Sequence, residues 1–468
     1  MKKIFFFDTE VQPKSGKVLD IGGVDVAGHT FHSNAIPELL EIFSQQEYIC
    51  GHNIIYHDIP YVQKSVGKDL SGTKVVDTLF LSPLLFPAKP YHSLLKDDKL
   101  QTEELNNPVN DAIKARDLFY DEISAFNRMD EDFKQIYHAL LKDRKEFASF
   151  FDFVGYAPFT DNLSRLIRKR FTDKICASAP LDSTIQTDPL GLAYSLAIID
   201  TDSRNSITPP WVLKNYPEVE RIMYLLRNNP CIEGCTYCNK ALDVKLGLKR
   251  FFGYPDYRTF DGKALQEEAV TAAIHNKSIL AVFPTGGGKS IAFQVPALMN
   301  GESVRGLTVI ISPLQSLMKD QVDNLEKINI TEAVTINGLL DPIERAKSFE
   351  RVENGSASIL YISPESLRSK SIERLLLGRN VVRFVIDEAH CFSSWGQDFR
   401  VDYLYIGDFI KMLQEKKNLE AGIPVSCFTA TAKPNVIQDI KDYFQAKLGL
   451  SLELVLLGWK WSGTGVLQ

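Results

Sequence analysis

The stretch that most constrains the fold of this chain runs from Phe283 to Ser290 and reads FPTGGGKS. It follows an apolar run at residues 278–282, typical of a buried strand, and precedes a segment that can continue as a helix. Successive glycines let several backbone N–H groups point at one anion, and the N-terminus of the following helix adds a positive field. The stretch therefore predicts a phosphate-binding loop.

In this loop Lys289 is expected to reach the β- and γ-phosphates of a nucleotide, and the Ser290 hydroxyl to hold Mg²⁺. The strict phosphate-loop pattern begins with glycine, where this chain has Phe283. A glycine-rich turn between a strand and a helix, without a ligand, is the alternative. The predicted loop contacts are Thr285, Gly286, Gly287, Gly288, Lys289 and Ser290.

Further apolar runs at residues 307–311, 358–362, 383–386 and 424–428 each lead into a polar segment. The third run leads into Asp387-Glu388-Ala389-His390. Beside a phosphate loop, Asp387 can hold Mg²⁺ through water while Glu388 polarises the attacking water. Strands that alternate with helical segments and end in polar loops predict an α/β fold, a doubly wound parallel sheet with its ligand at the carboxyl edge.

Between residues 250 and 445 the order of motifs is specific. It comprises FGYPDYR, PTGGGKS, SPLQSLMKDQV, YISPESL, DEAHCFSSWGQDFRVDY and TATA. This region resembles the first motor domain of RecQ-type DNA helicases of superfamily 2, which has a RecA-like fold. The resemblance implies an ATP-driven motor that moves 3′-to-5′ on single-stranded DNA, in DNA repair or recombination.

The resemblance also implies residue roles. Tyr254, Arg258 and Gln266 would read the adenine, although the family places its glutamine three residues after the arginine and this chain places it eight after. Trp395, Phe399 and Arg400 would lie in the aromatic-rich loop that couples DNA to hydrolysis. Aromatic rings stack on bases without regard to sequence. The family's histidine in that loop is glutamine in this chain.

A second set of acidic residues lies near the N-terminus. Asp8 and Glu10 follow an apolar strand at residues 4–7, Asp58 lies in GHNIIYHDIPY, and Asp111 lies in a helix expected to begin at Pro108. Four such carboxylates can gather around two cations about 4 Å apart, which activate water and stabilise the leaving oxygen of a phosphodiester. The pattern predicts a Mg²⁺ or Mn²⁺ site.

Residues 1–126 resemble the DnaQ-like 3′-to-5′ exonucleases, whose fold is ribonuclease H-like. The resemblance implies that Asp8, Glu10, Asp58 and Asp111 are the catalytic metal ligands and that 3′ ends of DNA are bound. The family orients its water with a histidine or a tyrosine shortly before the last aspartate, where this chain has Asn106 and Asn107. Either His92 or another group substitutes, or the domain binds DNA ends without efficient cleavage.

Residues 127–249 are expected to form a helical connector between the two domains, because apolar residues recur at helix-like spacing within residues 132–151. Near its end, Cys231, Cys235 and Cys238 lie within eight residues, and Cys176 lies upstream. Four thiolates can close a tetrahedral zinc site. A four-cysteine iron–sulfur cluster and unligated thiols are the alternatives.

The composition narrows the class of protein. The net charge of −6 argues against a globally basic nucleic-acid binder, although a local basic patch remains compatible with DNA binding. There is no apolar run of 18 residues, so no membrane association is expected, and seven cysteines fit a reducing compartment. These features favour a cytoplasmic location.

The tail at residues 446–468 resembles no part of the helicase family, whose second RecA-like domain should begin soon after TATA. Two functions follow as hypotheses. The first is a RecQ-like helicase polypeptide fused to an exonuclease-like domain and lacking the second motor domain. The alternative is a nucleotide-dependent DNA-binding protein without processive unwinding or efficient nuclease activity.

Overall fold

The structure is a computed structural model, and it describes residues 2–12, 15–67, 73–89, 91–94, 107–201, 208–231, 234–284, 286–393, 401–419, 421–430 and 433–456. The chain forms two compact units. The first comprises Met1–Phe171 and Leu181–Trp211, and the second comprises Thr172–Pro180 and Val212–Gln468.

In the described part of the first unit, five strands form one mixed sheet. They are β1 (Ile4–Val11), β2 (Val18–Asp25), β3 (Thr30–Ser33), β4 (Tyr48–Gly51) and β5 (Lys74–Asp77). The strand order is β3-β2-β1-β4-β5, so β1 is central. It pairs antiparallel with β2 and parallel with β4, while β5 pairs parallel with β4. The carboxyl ends of β1, β4 and β5 therefore meet at one edge.

Helices of the first unit pack on this sheet or on one another. They are α1 (Ile36–Ser44), α2 (Asp58–Val66), α3 (Thr78–Leu85), α4 (Pro108–Arg128), α5 (Glu131–Leu141), α6 (Ala148–Val154), α7 (Leu163–Arg170), α8 (Leu181–Thr187) and α9 (Pro189–Asp200). Helices α1, α2, α4 and α6 contact the sheet, and the others pack on helices. The longest, α4, begins where expected, because the Asn107 side chain caps it and Pro108 occupies its first turn. Its Phe119 packs against Phe6 of β1, which fixes α4 across one face of the sheet.

The boundary expected at residue 126 differs from the observed division of the chain. Helix α4 continues through that position, and α5 and α9 pack onto the same unit. The Tyr137 hydroxyl donates to the Leu84 carbonyl, and the Tyr194 hydroxyl to the Phe80 carbonyl, both at 3.0 Å. The helix-like spacing at residues 132–151 belongs to two helices, α5 and α6, rather than one.

The second unit contains the remaining elements. Its helices are α10 (Pro210–Asn215), in which the chain enters the unit, α11 (Glu218–Arg227), α12 (Thr236–Ala241), α13 (Val244–Phe252), α14 (Leu265–Ile274), α15 (Lys289–Val304), α16 (Gln315–Glu326), α17 (Pro342–Glu353), α18 (Lys370–Leu377), α19 (Ile406–Lys416) and α20 (Pro434–Leu448). Short 3₁₀ helices cover Pro364–Arg368, Ala389–Phe392 and Val401–Tyr405.

Among the described residues of this unit, seven strands form one sheet. They are β6 (Ile279–Val282), β7 (Leu307–Ile311), β8 (Ala333–Ile336), β9 (Ile359–Ile362), β10 (Val381–Ile386), β11 (Val425–Thr429) and β12 (Glu453–Val455). The order is β12-β6-β11-β10-β7-β9-β8, and every pairing is parallel. The predicted parallel α/β sheet is confirmed, with its apolar runs as β6, β7, β9, β10 and β11.

Two of the predicted domain boundaries differ from the observed limits of the second unit and its sheet. Helices α11 and α12 lie before residue 250 and α13 begins before it, yet all three belong to the second unit, so the expected connector is shared between the two units. At the other end, the sheet extends past residue 445, because Glu453–Val455 pairs with β6 as its edge strand. Residues 457–468 of the tail lie outside the described ranges. Within those ranges, no helix combines the length and the apolar character needed to cross a membrane.

Candidate nucleotide-binding site

The glycine-rich loop leaves the carboxyl end of β6 and enters α15 directly. Gly286 and Gly288 have backbone φ values of +74° and +66°, which residues other than glycine rarely adopt. Gly288 is the N-cap of α15. A Cβ atom on Gly287 would lie 2.7 Å from the Pro284 carbonyl oxygen. The loop therefore has the backbone curvature that a phosphate requires, at the N-terminus of a helix of 16 residues.

The two predicted acidic residues meet the predicted lysine opposite this loop. Lys289 Nζ lies 2.7 Å from Oε1 of Glu388 and 3.7 Å from Oδ1 of Asp387. Asp387 follows β10, where its backbone N–H donates to the Ile311 carbonyl of β7. The structure thus brings Lys289, Asp387 and Glu388 together at the carboxyl edge of the sheet, with Ser290 in the first turn of α15.

The conformation of Glu388 is unusual. Its φ of 49° is left-handed, which costs a non-glycine residue roughly 1–2 kcal/mol. Contacts with His390 and with the Lys289 ammonium lower the pKa of Glu388 to about 2, whereas burial raises the pKa of Asp387. His390 Nδ1 also lies 3.3 Å from the Thr429 hydroxyl, at the end of β11. A series of polar contacts therefore runs from Lys289 through the acidic pair and His390 to Thr429, the first residue of the TATA motif.

Gln266 links the loop to the segment predicted to read adenine. Its Nε2 donates to the carbonyls of Gly287 and Gly288 at 3.2 and 3.0 Å, and its Oε1 accepts from the Arg258 N–H at 2.9 Å. The additional residues between Arg258 and Gln266 form a tight turn closed by two hydrogen bonds between Phe260 and Lys263. This turn explains how a glutamine eight residues after the arginine still reaches it.

The other residues predicted to contact nucleotide or DNA are either exposed or outside the described part of the chain. Tyr254 stacks on Phe252 and is exposed, and the Arg258 side chain is also exposed, so both are open to a ligand. Thr285, Trp395, Phe399 and Arg400 lie outside the described residues. The structure also shows a buried polar contact in this unit, in which Gln294 Nε2 donates to Gln321 and to the Tyr361 hydroxyl, both at 2.9 Å. The sequence did not indicate this contact, because Gln294 in α15 and Tyr361 in β9 lie far apart in the chain and Gln294 belongs to no recognised motif.

The predicted carboxylates of the first unit are distributed over both faces of its sheet. Asp8 and Glu10 lie within β1, not after it, because pairing with β2 continues to Glu10 and Asp20. By strand alternation they share the face of Phe6, on which α4 packs. The helix approaches so closely that a Cβ atom on Gly22, the cross-strand partner of Asp8, would lie 2.1 Å from the Pro108 backbone.

Asp58 takes a different position. Its Oδ1 accepts from the backbone N–H and the hydroxyl of Thr9 at 2.9 and 2.5 Å, while Oδ2 lies 3.4 Å from His57. Asp111 lies 3.8 Å from the Lys114 ammonium. Over the described ranges, the cysteines are the only group of three or more His, Cys, Asp or Glu side chains placed to hold a metal ion. The expected gathering of all four acids is therefore not observed among the described residues, and Asp58 is hydrogen-bonded to Thr9 instead.

Two further ionisable side chains of the first unit, His92 and Glu122, are buried. His92, considered as a substitute for the missing water-orienting residue, is hydrogen-bonded to Ser82 at 2.8 Å, and burial lowers its pKa to about 4. Glu122 of α4 is fully buried, and among the described residues neither of its carboxyl oxygens has a hydrogen-bond partner. Burial raises the pKa of Glu122 well above its usual range, with Asp77 adding to the effect.

The four predicted cysteine ligands converge. The Sγ atoms of Cys176, Cys231, Cys235 and Cys238 all lie within 4.8 Å of one another, although Cys176 comes from the segment Thr172–Pro180. Although burial opposes it, N–H donors of Cys238 and Ala177 lower the pKa of the Cys235 thiol to about 6. This cluster lies outside the glycine loop and its acidic pair.

A parallel sheet with a glycine loop after β6 and an acidic pair after β10 defines a RecA-like P-loop nucleotide-binding domain. Residues 263–440 match the DEAD/DEAH box helicase family. The chain therefore contains a DEAD/DEAH box helicase domain.

Curated relatives match the same region. The chain is similar to the ATP-dependent DNA helicase hus2/rqh1 of Schizosaccharomyces pombe, with 41% identity over 37% of this chain and 13% of the relative. It is 42% identical to the ATP-dependent DNA helicase RecQ of Bacillus subtilis, over 41% of this chain and 30% of the relative. The match to the ATP-dependent helicase SGS1 of Saccharomyces cerevisiae is 39% identical, over 42% of this chain and 13% of the relative. The chain thus spans less than a third of each of these relatives.

Proposed function

We propose that the second unit binds and hydrolyses ATP with Mg²⁺ as part of a RecQ-like DNA helicase polypeptide that acts in DNA repair or recombination. The observation that carries this proposal is the contact of Lys289 with Glu388 and Asp387 across the glycine loop. The similarity to ATP-dependent DNA helicases over the same region supports DNA as the polymer.

The residues fit a bound nucleotide. The loop N–H groups and Lys289 would bind the phosphates, and Ser290 and Asp387 would hold Mg²⁺, which supplies charge neutralisation at the transferred phosphoryl group. Contacts with His390 and Lys289 lower the pKa of Glu388 to about 2, so its carboxylate is ionised and can polarise the attacking water by accepting a hydrogen bond from it. Tyr254 and Arg258 are open to contact the base, and Gln266 connects that segment to the loop.

The test measures ATP affinity and ATP hydrolysis, with and without single-stranded DNA. Lys289→Ala should lose most of the affinity, while Lys327→Ala, an exposed lysine at the end of α16, should retain it. Stimulation by single-stranded DNA but not by RNA of the same sequence would support the DNA assignment. Equal ATP affinity in wild type and Lys289→Ala would remove this site.

As a second function, we propose that the first unit binds divalent cations and 3′ ends of DNA through Asp8, Glu10 and Asp111. A specific observation favours it: these acids lie on β1 and in the first turn of α4, and that helix packs beside Asp8 at Gly22. Asp58 would join them after exchanging its bonds to Thr9 for a cation. Cleavage by such a site would resemble that of DnaQ-like exonucleases.

A 3′-labelled single strand with Mn²⁺ tests this second function. Asp8→Ala should abolish cleavage, and Asp117→Asn, an exposed acid on the same helix as Asp111, should not change it. Asn106→His should increase the rate if a water-orienting base is what the site lacks, since such help contributes typically about 10²–10⁴-fold. Cleavage that survives Asp8→Ala would exclude this site.

A further inference from the structure

We infer that Cys176, Cys231, Cys235 and Cys238 bind one zinc ion that has a structural role in the second unit. Their four Sγ atoms lie within 4.8 Å of one another, and those of Cys231 and Cys238 are 3.9 Å apart. The helicase match begins at residue 263, so the cluster lies outside it. The proposal is independent of the proposed ATPase and DNA-end functions.

The spacing of the sulfur atoms selects a single metal ion. With Zn–S bonds of about 2.3 Å, a tetrahedral site holds its sulfur atoms about 3.8 Å apart. The Cys231–Cys238 separation agrees with this value. An iron–sulfur cluster binds its cysteines to different iron atoms, so its cysteine sulfur atoms must lie farther apart than the four in this site.

The backbone around the cluster is shaped for metal-bound thiolates. N–H groups of Cys238 and Ala177 point at Cys235 Sγ, at 3.4 and 3.5 Å. Gly234 has a φ of +70°, and a Cβ atom there would lie 2.6 Å from Asn239, so the turn into Cys235 requires glycine. Hydrogen bonds to ligating atoms orient metal ligands and adjust their basicity.

Cys176 distinguishes a complete site from a local cysteine motif. The segment that carries it is attached by a 2.8 Å bond from the Cys176 N–H to the Leu226 carbonyl at the end of α11. Four protein thiolates would leave zinc no open position, which is typical of structural rather than catalytic zinc. The metal would therefore fasten a distant chain segment to the end of α11.

The cluster is connected to the nucleotide-binding helix. Tyr237, adjacent to Cys238 in α12, is buried beneath the Arg227 guanidinium, which is 5.3 Å from its ring centroid. Arg227 in turn donates to the Ser303 carbonyl, at the end of α15, at 2.8 Å. Zinc bound here would stabilise the packing of α11 and α12 against the helix that begins at the glycine loop.

The experiment begins with the full chain purified without added metal or chelator. We expect about one zinc per chain by elemental analysis and four sulfur neighbours at about 2.3 Å by X-ray absorption. Metal-free protein with seven titratable thiols, a Cys231–Cys238 disulfide, or a brown protein containing iron and sulfide would each overturn the proposal. These measurements on the wild-type chain decide the question even if a variant fails to fold.

Variants then assign the ligands. Cys176→Ser should lower the zinc affinity in chelator competition by more than about 100-fold, beyond the usual effect of residues outside the ligand shell. Cys176→His should recover part of that affinity, because histidine is also a zinc ligand. Cys427→Ala, which removes a buried thiol from β11, is the matched control and should keep its zinc. Unchanged affinity in Cys176→Ser would show that the four-thiolate site is not formed.

Discussion

Replacing Glu388 by glutamine should tighten ATP binding while slowing hydrolysis. Lys289 can hold a phosphate only by leaving Glu388, from which it is 2.7 Å away, with side-chain exposures of 18% and 29%. A hydrogen bond to a charged group contributes about 1.5–3 kcal/mol and a neutral one about 0.5–1.5 kcal/mol. Glutamine should therefore lower the cost of releasing Lys289 by about 1 kcal/mol, which corresponds to roughly fivefold tighter binding.

The assay is an equilibrium titration with a fluorescent, non-hydrolysable ATP analogue and Mg²⁺, paired with a hydrolysis measurement. Because the pKa of Glu388 is about 2, the carboxylate is charged throughout pH 5–8, and the gain in affinity should be constant over that range. Glu365→Gln removes an equal charge from an exposed acid after β9 and serves as the control. Equal or weaker binding in Glu388→Gln, or the same gain in Glu365→Gln, would refute the competition for Lys289.

Three other predictions concern stability. Glu220→Ala should destabilise the second unit by about 3–5 kcal/mol in chemical denaturation, because it leaves the buried Arg379 guanidinium, 3.6 Å away, without its carboxylate. Gly22→Ala should lower the melting temperature of the first unit, since its Cβ atom would overlap the Pro108 backbone. Glu122→Gln should become more stable relative to wild type as pH rises from 5 to 8, by up to about 1.4 kcal/mol per pH unit; a constant difference would show that Glu122 is not protonated in the folded state.

The sign of the Glu122 prediction follows from its burial. The pKa of this carboxyl is raised in the folded state above the ordinary value of 4.5, so the folded chain retains a proton that the unfolded chain releases. The stability that depends on this proton is fully present below the unfolded-state pKa and is lost as pH rises through the folded-state pKa. Glutamine is neutral at every pH and removes that dependence.

The parallel sheet could be predicted from the sequence because its strands are continuous apolar runs. Residues 307–311 coincide with β7, and the other runs differ from the observed strands by one or two residues. Strand β12 was missed, because a strand of three residues has no periodicity and its partner β6 lies far away in sequence. Long-range pairing of this kind leaves no local signal.

In the nucleotide site, the identities and order of Lys289, Asp387 and Glu388 predicted their proximity. The sequence did not predict the left-handed backbone of Glu388, since glutamate does not favour that conformation. In the first unit, Asp111 was placed correctly in the helix that begins at Pro108, whereas Asp8 and Glu10 lie within β1 and not after it, because pairing with β2 extends the strand beyond its apolar run. The hydrogen bonds that hold Asp58 to Thr9 depend on how α2 meets the carboxyl end of β1, which residue spacing does not encode.

Because β12 covers one edge of β6, removing it should change how the second unit behaves in solution. Strand β6, which leads into the glycine loop, pairs with β12 on one side, where the Glu453 N–H donates to the Ser278 carbonyl and Lys277 pairs with Glu453. A fragment cut at residue 445, where the family motifs end, would expose a row of unpaired backbone groups along an apolar strand. Such an edge is a template for intermolecular pairing, so the shorter fragment should aggregate more readily than one that retains β12.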